Sequence, residues 1–476
     1  MNSIHDKPKG IIIHYLKLMM ISFQISSKCR LVFSRIILSI RRLRKNHSSL
    51  LLKSIFLSLI IFSTSVFCVD AQNKFIADTL VLSLSDAENL FLKKNFELLA
   101  AKYQINEADA AIIQAKLWDN PNLNIEQGVY DPTTRRWFDI TATGETAVSI
   151  QQLIYLAGKR NKRIGIEKVN SEISRYQFYD LQRTLRYELR TSFYELYFLE
   201  QSVSVYDREI KASKKLVDAY DIEYQKGNVS FNDLARLQAL QFSLGNEKIE
   251  LLKSINEKQS NLVLLTGDTL ARPIRPVVDV SAYTRINPDS LRIEHLISSG
   301  LANRYDLKIA EAQVHYEKAN LALEKAMRTP DLTIGGRWDR QGSYVDDYNA
   351  LSVGFDLPIW NHNQGNIKIA ENKIEESKVL RNENELEVKN DIIKAFSQLL
   401  ETDHLYKASQ PKFDSKYYDL LDGIILAYQN HTISLLEFID YIETYKNSKT
   451  EFYQLQNNRI DAFEDLNMAT GSIIVK

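Results

Sequence analysis

Histidine and cysteine are the residues most able to catalyse reactions or to bind metals, and this sequence does not arrange them for either task. Both cysteines, Cys29 and Cys68, lie near the N-terminus, so the rest of the chain has no thiols. The later histidines do not have the spacing of metal ligands, and there is no glycine-rich nucleotide-binding motif. They are His295, His315, His362, His404 and His431. The sequence therefore predicts a protein that is not an enzyme, with no cofactor and no metal site.

Two pairs of serine and acid stand at matching places, each just after a break in a helical pattern. Asp233 follows Ser230 by three residues, and Glu437 follows Ser434 by the same distance, which is typical of a helix N-cap. Glu437 and Asp440 also share a helix face, because they are three residues apart. Capping accounts for part of this pattern, and the residues alone leave open any further role.

The N-terminal region, residues 1–71, has the pattern of an export leader. A basic segment at 41–53 precedes an uncharged apolar run, Ser54–Cys68, and small-residue spacing ends at Ala71. This order favours a cleaved signal peptide. An anchoring helix remains an alternative, as does lipidation of Cys68, although Phe67 fits a lipoprotein signal badly.

The charge of the chain disfavours nucleic-acid binding. Net charge is zero, but basic residues outnumber acids in the leader, so the remainder carries an acidic excess. From residue 72 onward no uncharged apolar run approaches the ~20 residues of a transmembrane helix. If the exported protein enters a membrane, it must do so through β-strands.

The sequence contains an internal two-fold repeat. Pro121 and Pro330 are 209 residues apart, and Leu98 and Leu307 match at the same offset. Farther on, Thr266-Gly267 matches Thr470-Gly471. These matches divide the chain into a leader, a first repeat, a connector, a second repeat and a tail, at 1–71, 72–267, 268–288, 289–471 and 472–476.

Each repeat is predicted to contain a helix, two strands, a very long helix and a further helix. Helix-favouring residues predict first helices at 84–118 and 290–328, which Pro121 and Pro330 end. Helical periodicity predicts a long helix at about 159–226, which would extend ~100 Å, and another at about 366–429 with a possible kink at Pro411. Shorter helices follow at about 231–265 and 434–469. Long helical periodicity by itself is also typical of a filamentous coiled coil.

The strands argue against a simple coiled coil. Apolar and polar residues alternate in segments at about 122–131, 146–156, 331–340 and 350–359, as in transmembrane barrel strands or in a soluble hairpin with one buried face. Tryptophans occur only in or beside these segments, and Tyr155 and Trp360 occupy equivalent positions. We expect Tyr155, Trp338 and Trp360 to form a membrane girdle. Four strands cannot close a barrel, so the barrel must be shared between chains.

With this element order, residues 84–471 resemble the TolC family of outer-membrane efflux channels. The resemblance implies a mainly α fold with a membrane β-barrel part, in which three subunits each give four strands to one twelve-stranded barrel. The long helices would form a tunnel across the periplasm. Residues 357–366 (LPIWNHNQGN) look like the strand-to-helix junction of the heavy-metal, cobalt–zinc–cadmium type, branch.

The resemblance also implies roles for residues at the helix tips. Glu437 and Asp440 match the acids that ring the pore entrance, and Tyr428 and Asp233 match a gate pair. Ile433 stands where the best-known members have a gate arginine, and His431 where the second tip often has glycine. The tips expected to contact an adaptor are Lys226, Gly227, Asn228, Asn430, His431 and Thr432.

The implied function is a passive exit duct in the outer membrane of a Gram-negative bacterium. Its implied partners are two further copies, a periplasmic adaptor (membrane fusion) protein, and an inner-membrane pump of the resistance-nodulation-division or ABC type. The alternatives are the outer-membrane duct of a type I protein-secretion system and a periplasmic coiled-coil scaffold or adaptor. An adaptor should contain a compact β-rich domain, which the sequence does not predict. The exported substrate is not indicated.

Overall fold

The computed structural model describes residues 79–132, 134–280, 283, 285–341, 345–413 and 415–474, all within one compact unit, Ala77–Lys476. The predicted leader, with Cys29 and Cys68, lies outside the described residues, as does the end of the predicted tail. Most of the described residues are helical.

The same order of helices occurs before and after residue 290, with one exception. The first set is α1 (Leu84–Lys94), α2 (Phe96–Ala115), α3 (Lys159–Gln225) and α4 (Phe231–Thr266). The second is α5 (Ile293–Asn303), α6 (Tyr305–Ala326), α7 (Gln364–Ser409), α8 (Ser415–Gln429) and α9 (Leu435–Thr470). The exception is that two helices, α7 and α8, take the place of the single long helix α3. None of the described helices combines the length and the apolar character that crossing a membrane requires.

Three predicted helices are each interrupted once. The helix predicted at 84–118 breaks at Asn95, whose side-chain oxygen accepts the Leu98 N–H at 3.0 Å while its amide donates to the Leu265 carbonyl at 3.1 Å. The helix predicted at 290–328 breaks at Arg304, where an extended backbone separates α5 from α6. A 3-10 turn, Gln410–Phe413, separates α7 from α8 at Pro411, which has no N–H for the helical ladder.

The strands are β1 (Leu80–Ser83), β2 (Asn122–Gln127), β3 (Tyr130–Asp131), β4 (Arg136–Trp137), β5 (Thr146–Ile154), β6 (Ile274–Val277), β7 (Leu332–Gln341) and β8 (Asp346–Phe355). An antiparallel sheet has the order β2-β5-β7-β8, so the pair β5–β7 joins the two halves. Its outer strands, β2 and β8, each have one unpaired edge in the described sheet. A separate parallel pair, β1 with β6, lies partly in the predicted connector and was not expected.

The core runs along the long helices. In α3 the residues Leu185, Leu189, Phe193 and Leu196 recur every three or four positions and are buried. Farther along, side chains of α3, α4, α7, α8 and α9 form one apolar cluster. At the end of α4, Gly267 has φ +64° and a Cβ there would lie 2.4 Å from the Lys94 carbonyl oxygen, so only glycine fits this close approach.

Candidate functional site: two helix tips and an exposed sheet face

The first tip joins α3 to α4. Gly227 has φ +75°, which reverses the chain, and Lys226, Gly227 and Asn228 are all exposed. The Glu223 carboxylate accepts hydrogen bonds from Asn228 Nδ2 at 2.5 Å and from Lys226 Nζ at 2.8 Å. These bonds lower the pKa of Glu223 and hold the turn to the last turn of α3.

The second tip joins α8 to α9. His431 has φ +57°, in the left-handed region where glycine is usual, and its N–H donates to the Tyr428 carbonyl at 3.0 Å. The Thr432 hydroxyl donates to the Ala427 carbonyl at 2.7 Å, so a side chain helps to close the turn. Asn430, His431 and Thr432 are exposed. A contact of either tip with an adaptor stays a prediction.

Both predicted N-caps are present. The Asp233 N–H donates to Ser230 Oγ at 3.1 Å, and the Ser230 hydroxyl donates to the Asp233 carboxylate at 2.8 Å. At the second tip a complete capping box forms, since the Ser434 N–H donates to the Glu437 carboxylate at 2.8 Å and the Glu437 N–H to Ser434 Oγ at 3.3 Å. The capping interpretation of these acids is therefore confirmed.

The acids predicted to line the pore, Glu437 and Asp440, are both exposed one turn apart on α9. The hydrogen bond from the Ser434 backbone lowers the pKa of Glu437 within the chain. The predicted selectivity role of these acids concerns copies of the chain packed together, and it stays a prediction.

Within one chain the predicted gate pair, Tyr428 and Asp233, is not hydrogen-bonded, and its role as a gate stays a prediction. Tyr428 is buried, and its hydroxyl bonds the Tyr220 hydroxyl of α3 instead of Asp233. The Asp233 carboxylate accepts the Ser230 hydroxyl at the start of α4, and its charge still acts on Tyr428. Burial, and then the bond with Tyr220, raise the pKa of Tyr428, whose ring stacks on Phe438 at 4.6 Å.

Sequence reasoning overlooked Tyr220. It lies one turn after the buried Leu216, so its position on the inner face of α3 was the available signal. The pair Tyr220–Tyr428 links the hairpin α3–α4 to the hairpin α8–α9.

Ionic contacts between hairpins were also overlooked. Lys446 Nζ of α9 lies 2.6 Å from the Glu247 carboxylate of α4, which accepts a further bond from Tyr206 of α3 at 3.0 Å. Nearer the sheet, Arg459 Nε of α9 donates to the buried Asp403 carboxylate of α7 at 2.7 Å. In a sequence rich in charged residues, nothing local separates these buried charges from solvated ones.

The sheet separates apolar from polar side chains. Residues paired across antiparallel strands share a face, and the row Leu123–Ile150–Gly336–Leu351 is apolar. The next row on this face, Ile125–Val148–Trp338–Asn349, is apolar except for Asn349 on the outer strand β8. The intervening row Asn124–Ser149–Arg337–Ala350 is largely polar. On the apolar face Leu351 is 89% exposed and Val353 66% exposed. Such a contiguous exposed apolar face marks a surface that something apolar covers.

The predicted girdle residues differ in their surroundings. The Tyr155 hydroxyl donates to the Asp119 carboxylate at 2.5 Å, and the Arg163 guanidinium lies 4.5 Å above the Tyr155 ring. Arg340 lies over the Trp338 ring at 5.4 Å. Trp360 follows β8 and is 87% exposed. Amphipathic rings at strand ends suit a boundary between apolar and aqueous surroundings, although this role stays a prediction.

Among the described residues, His, Asp and Glu side chains form no group of three or more that could hold a metal ion.

Comparisons with known proteins match most of the chain. The family described as "Outer membrane efflux protein" matches residues 89–268 and 296–472. The cobalt-zinc-cadmium resistance protein CzcC of Cupriavidus metallidurans is 22% identical over 319 residues, which cover 67% of this chain and 73% of CzcC.

Solved structures have the same fold. The CmeC outer membrane channel of Campylobacter jejuni matches with a TM-score of 0.67 and 15% identity, covering 82% of this chain and 85% of CmeC. The open state of the MtrE outer membrane channel of Neisseria gonorrhoeae matches with a TM-score of 0.63 and 16% identity, covering 82% of this chain and 89% of MtrE.

Proposed function

Because the chain belongs to the outer membrane efflux protein family, we propose that it is one subunit of the outer-membrane duct in a tripartite efflux system. The resemblance to outer-membrane efflux channels, recognised in the sequence, is confirmed by the family match and by the fold. The finer features of the duct are the proposal: three copies form it, an inner-membrane pump loads it, and a periplasmic adaptor connects the two.

The observation that carries this proposal is the exposed apolar face of the sheet β2-β5-β7-β8. An apolar face of this width is unfavourable in water and favourable in hydrocarbon, at about 25 cal/mol per Å² of apolar surface removed from water. The two open edges supply the second requirement. In lipid each unpaired backbone group costs several kcal/mol, so the edges must pair with neighbouring copies.

Three copies of this sheet would give a closed barrel of twelve strands. The polar rows, which include Ser149, Arg337 and Ser352, would then face an aqueous interior. The repeat division at 72–267 and 289–471 fits this arrangement, because each repeat supplies two of the four strands. A periplasmic scaffold would have no use for the exposed apolar face.

The helices would form the periplasmic tunnel. With 67 residues, α3 extends ~100 Å from the strand β5 to the first tip. Because α3 and α7 each begin shortly after a strand, the tips lie at the ends of helices that lead away from the sheet. The exposed tips are the proposed contacts for the adaptor.

We infer metal cations as the cargo class from the relative that is named for cobalt, zinc and cadmium resistance. The exposed acids Glu437 and Asp440 fit this inference, because three copies would place six carboxylates at the tunnel mouth. This fit supports the heavy-metal branch suggested by residues 357–366.

Cysteine labelling tests the membrane topology directly. Thr134 is exposed in the loop between β2 and β5, so Thr134→Cys should react with a membrane-impermeant maleimide on intact cells. Lys226→Cys, at a tip, is the matched control and should react only after the outer membrane is disrupted. If intact cells label Lys226→Cys but not Thr134→Cys, the protein lies in the membrane in the opposite orientation. If neither variant is labelled after disruption, neither residue is exposed on the surface of the protein.

A further inference from the structure

Glu209 of α3 is a buried acid whose carboxyl group has no hydrogen bond from the described part of the chain to offset the loss of water. It is 1% exposed, and neither carboxylate oxygen has a hydrogen-bond partner among the described residues. An ionised carboxylate out of water is costly unless it is paired and hydrogen-bonded, and a protonated one is far less costly. The position therefore favours a carboxylic acid over a carboxylate.

Charged and titratable groups reach Glu209 from three helices. Arg208 and Tyr206 lie beside it on α3, Glu247 approaches from α4, and Lys446 approaches from α9. Lys446 Nζ is 2.6 Å from the Glu247 carboxylate, and Ser243 and Tyr206 donate to Glu247 at 3.0 Å each. One ammonium group thus faces two carboxyl groups and is hydrogen-bonded to only one of them.

The next turn of α9 adds no free counter-charge. Lys449, one turn after Lys446, is buried there, and its Nζ lies over the rings of Tyr417 at 5.8 Å and Tyr453 at 5.3 Å. This ammonium group is therefore engaged with aromatic faces.

Glu209 and Glu247 respond oppositely to this environment. Burial raises the pKa of Glu209 to about 8, against the opposing effect of Lys446. Burial would also raise the pKa of Glu247, but the hydrogen bonds from Lys446 and Ser243 outweigh it and lower that pKa. At neutral pH the pair therefore holds one negative charge, on Glu247, and one proton, on Glu209.

We propose that Glu209 is a proton-binding site that sets how tightly the hairpin α3–α4 packs against the hairpin α8–α9. Loss of the proton places a second negative charge beside Glu247, while Lys446 is already bonded to Glu247 and the other nearby cation, Arg208, is exposed to solvent. Hydrating that charge requires the hairpins to separate. Because the same hairpins carry the two tips, this inference rests on the proposed duct where it concerns opening: the duct would open more readily as periplasmic pH rises.

The direction of the pH effect follows from the two pKa values. The pKa of Glu209 is near 8 when packed and near the ordinary 4.5 when hydrated. Packing is therefore most favourable below the hydrated value, weakens as pH rises from that value, and reaches its minimum above the packed value.

Infrared spectroscopy of the purified full chain tests protonation without any channel function. The part of the carboxylic-acid carbonyl band that disappears with a midpoint near pH 8 should be present at pH 6 in the wild type and missing in Glu209→Gln. A second part should remain in that variant, because burial raises the pKa of Asp461 to about 7. Glu250→Gln, at a carboxylate whose side chain is 75% exposed, is the control and should retain the band. A Glu209→Gln spectrum equal to the wild-type spectrum at pH 6 would overturn the assignment.

Melting and conductance test the effect on packing. Between pH 6 and pH 9 the wild type and Glu250→Gln should lose thermal stability by a larger shift than Glu209→Gln, which keeps a neutral side chain throughout. In planar bilayers wild-type conductance should rise over the same interval, and that of Glu209→Gln should not. An equal melting shift in Glu209→Gln would refute the packing role. Channels that never form, together with the expected melting shifts, would refute the duct and leave the proton site standing.

Discussion

The sheet and the helical hairpins place their side chains in opposite ways. In the sheet, apolar side chains such as Leu351 and Val353 are exposed on one face. In the hairpins, charged side chains such as Asp403, Arg459 and Lys446 are buried among helices. A protein surrounded only by water rarely exposes so many large apolar side chains on one face, and it rarely buries so many charged ones. The difference supports the proposal that the sheet faces lipid, and it shows that the helices hold ionic groups within their packing.

The largest effect should come from breaking a buried ion pair between helices. Asp403 accepts from Arg459 Nε at 2.7 Å and lies 2.7 Å from Lys407 Nζ. Asp403→Ala would leave the Arg459 guanidinium buried without a carboxylate, which costs about 3–5 kcal/mol. The free energy of unfolding, from denaturant titration in detergent, measures this cost. Glu250→Ala, which breaks an exposed pair with Lys253, should change it by about 0–1 kcal/mol, and equal losses would contradict the comparison.

A charge on the apolar face of the sheet should have the next largest effect. Leu351→Arg puts a cation where we propose lipid, at a cost of about 2–4 kcal/mol near the bilayer centre. The amount of folded protein in outer-membrane fractions should fall. Ser352→Arg, on the neighbouring residue of the polar face, is the control and should assemble. If the two variants assemble equally, the apolar and polar faces of the sheet do not lie in different environments, and the comparison is contradicted.

Removing one hydroxyl between the hairpins should have a smaller effect. Tyr220→Phe leaves Tyr428 without its partner and costs ~1 kcal/mol per subunit, which should raise single-channel conductance if this bond restrains the tips. Asp233→Ala, which removes only the acid of the α4 cap, should leave conductance near the wild-type value. The reverse outcome would favour the gate pair Tyr428–Asp233, which the sequence resemblance implies, over the pair Tyr220–Tyr428.

The smallest effect on stability, and a specific one on permeation, should come from the acids at the second tip. Glu437→Ala with Asp440→Ala should weaken cation preference and relieve block by trivalent cations added from the tip side. Ser434→Ala removes the other half of the capping box at a cost of about 0.5–2 kcal/mol without a change of charge. If selectivity is unchanged in the double variant, or if Ser434→Ala changes selectivity by the same amount, these acids act only as helix caps.

The long helix α3 and the strand β7 could be predicted from the sequence, because each depends on a pattern within its own segment. Helical periodicity without proline placed the long helix at 159–226, and α3 spans Lys159–Gln225. Alternation placed a strand at 331–340, and β7 spans Leu332–Gln341. The last strand was shifted: it was predicted at 350–359, but β8 spans Asp346–Phe355, because pairing with β7 sets its length and Pro358 cannot donate to a ladder.

Features that depend on distant partners could not be predicted. The parallel pair β1–β6 joins Leu80 to Ile274, and neither segment has a strand pattern strong enough to identify it alone. Tyr428 was recognised, but its partner Tyr220 depends on how two helices cross. Glu209 resembles any acid on a long helix until the surrounding helices exclude water from it.

The mass of the purified complex tests the central claim most directly. A sheet with two open edges and one apolar face should exist in mild detergent only as a closed assembly of three copies. Light scattering or native mass spectrometry of the wild-type protein should therefore give three chains per complex. A stable, folded monomer under the same conditions would contradict the shared barrel and the duct that depends on it.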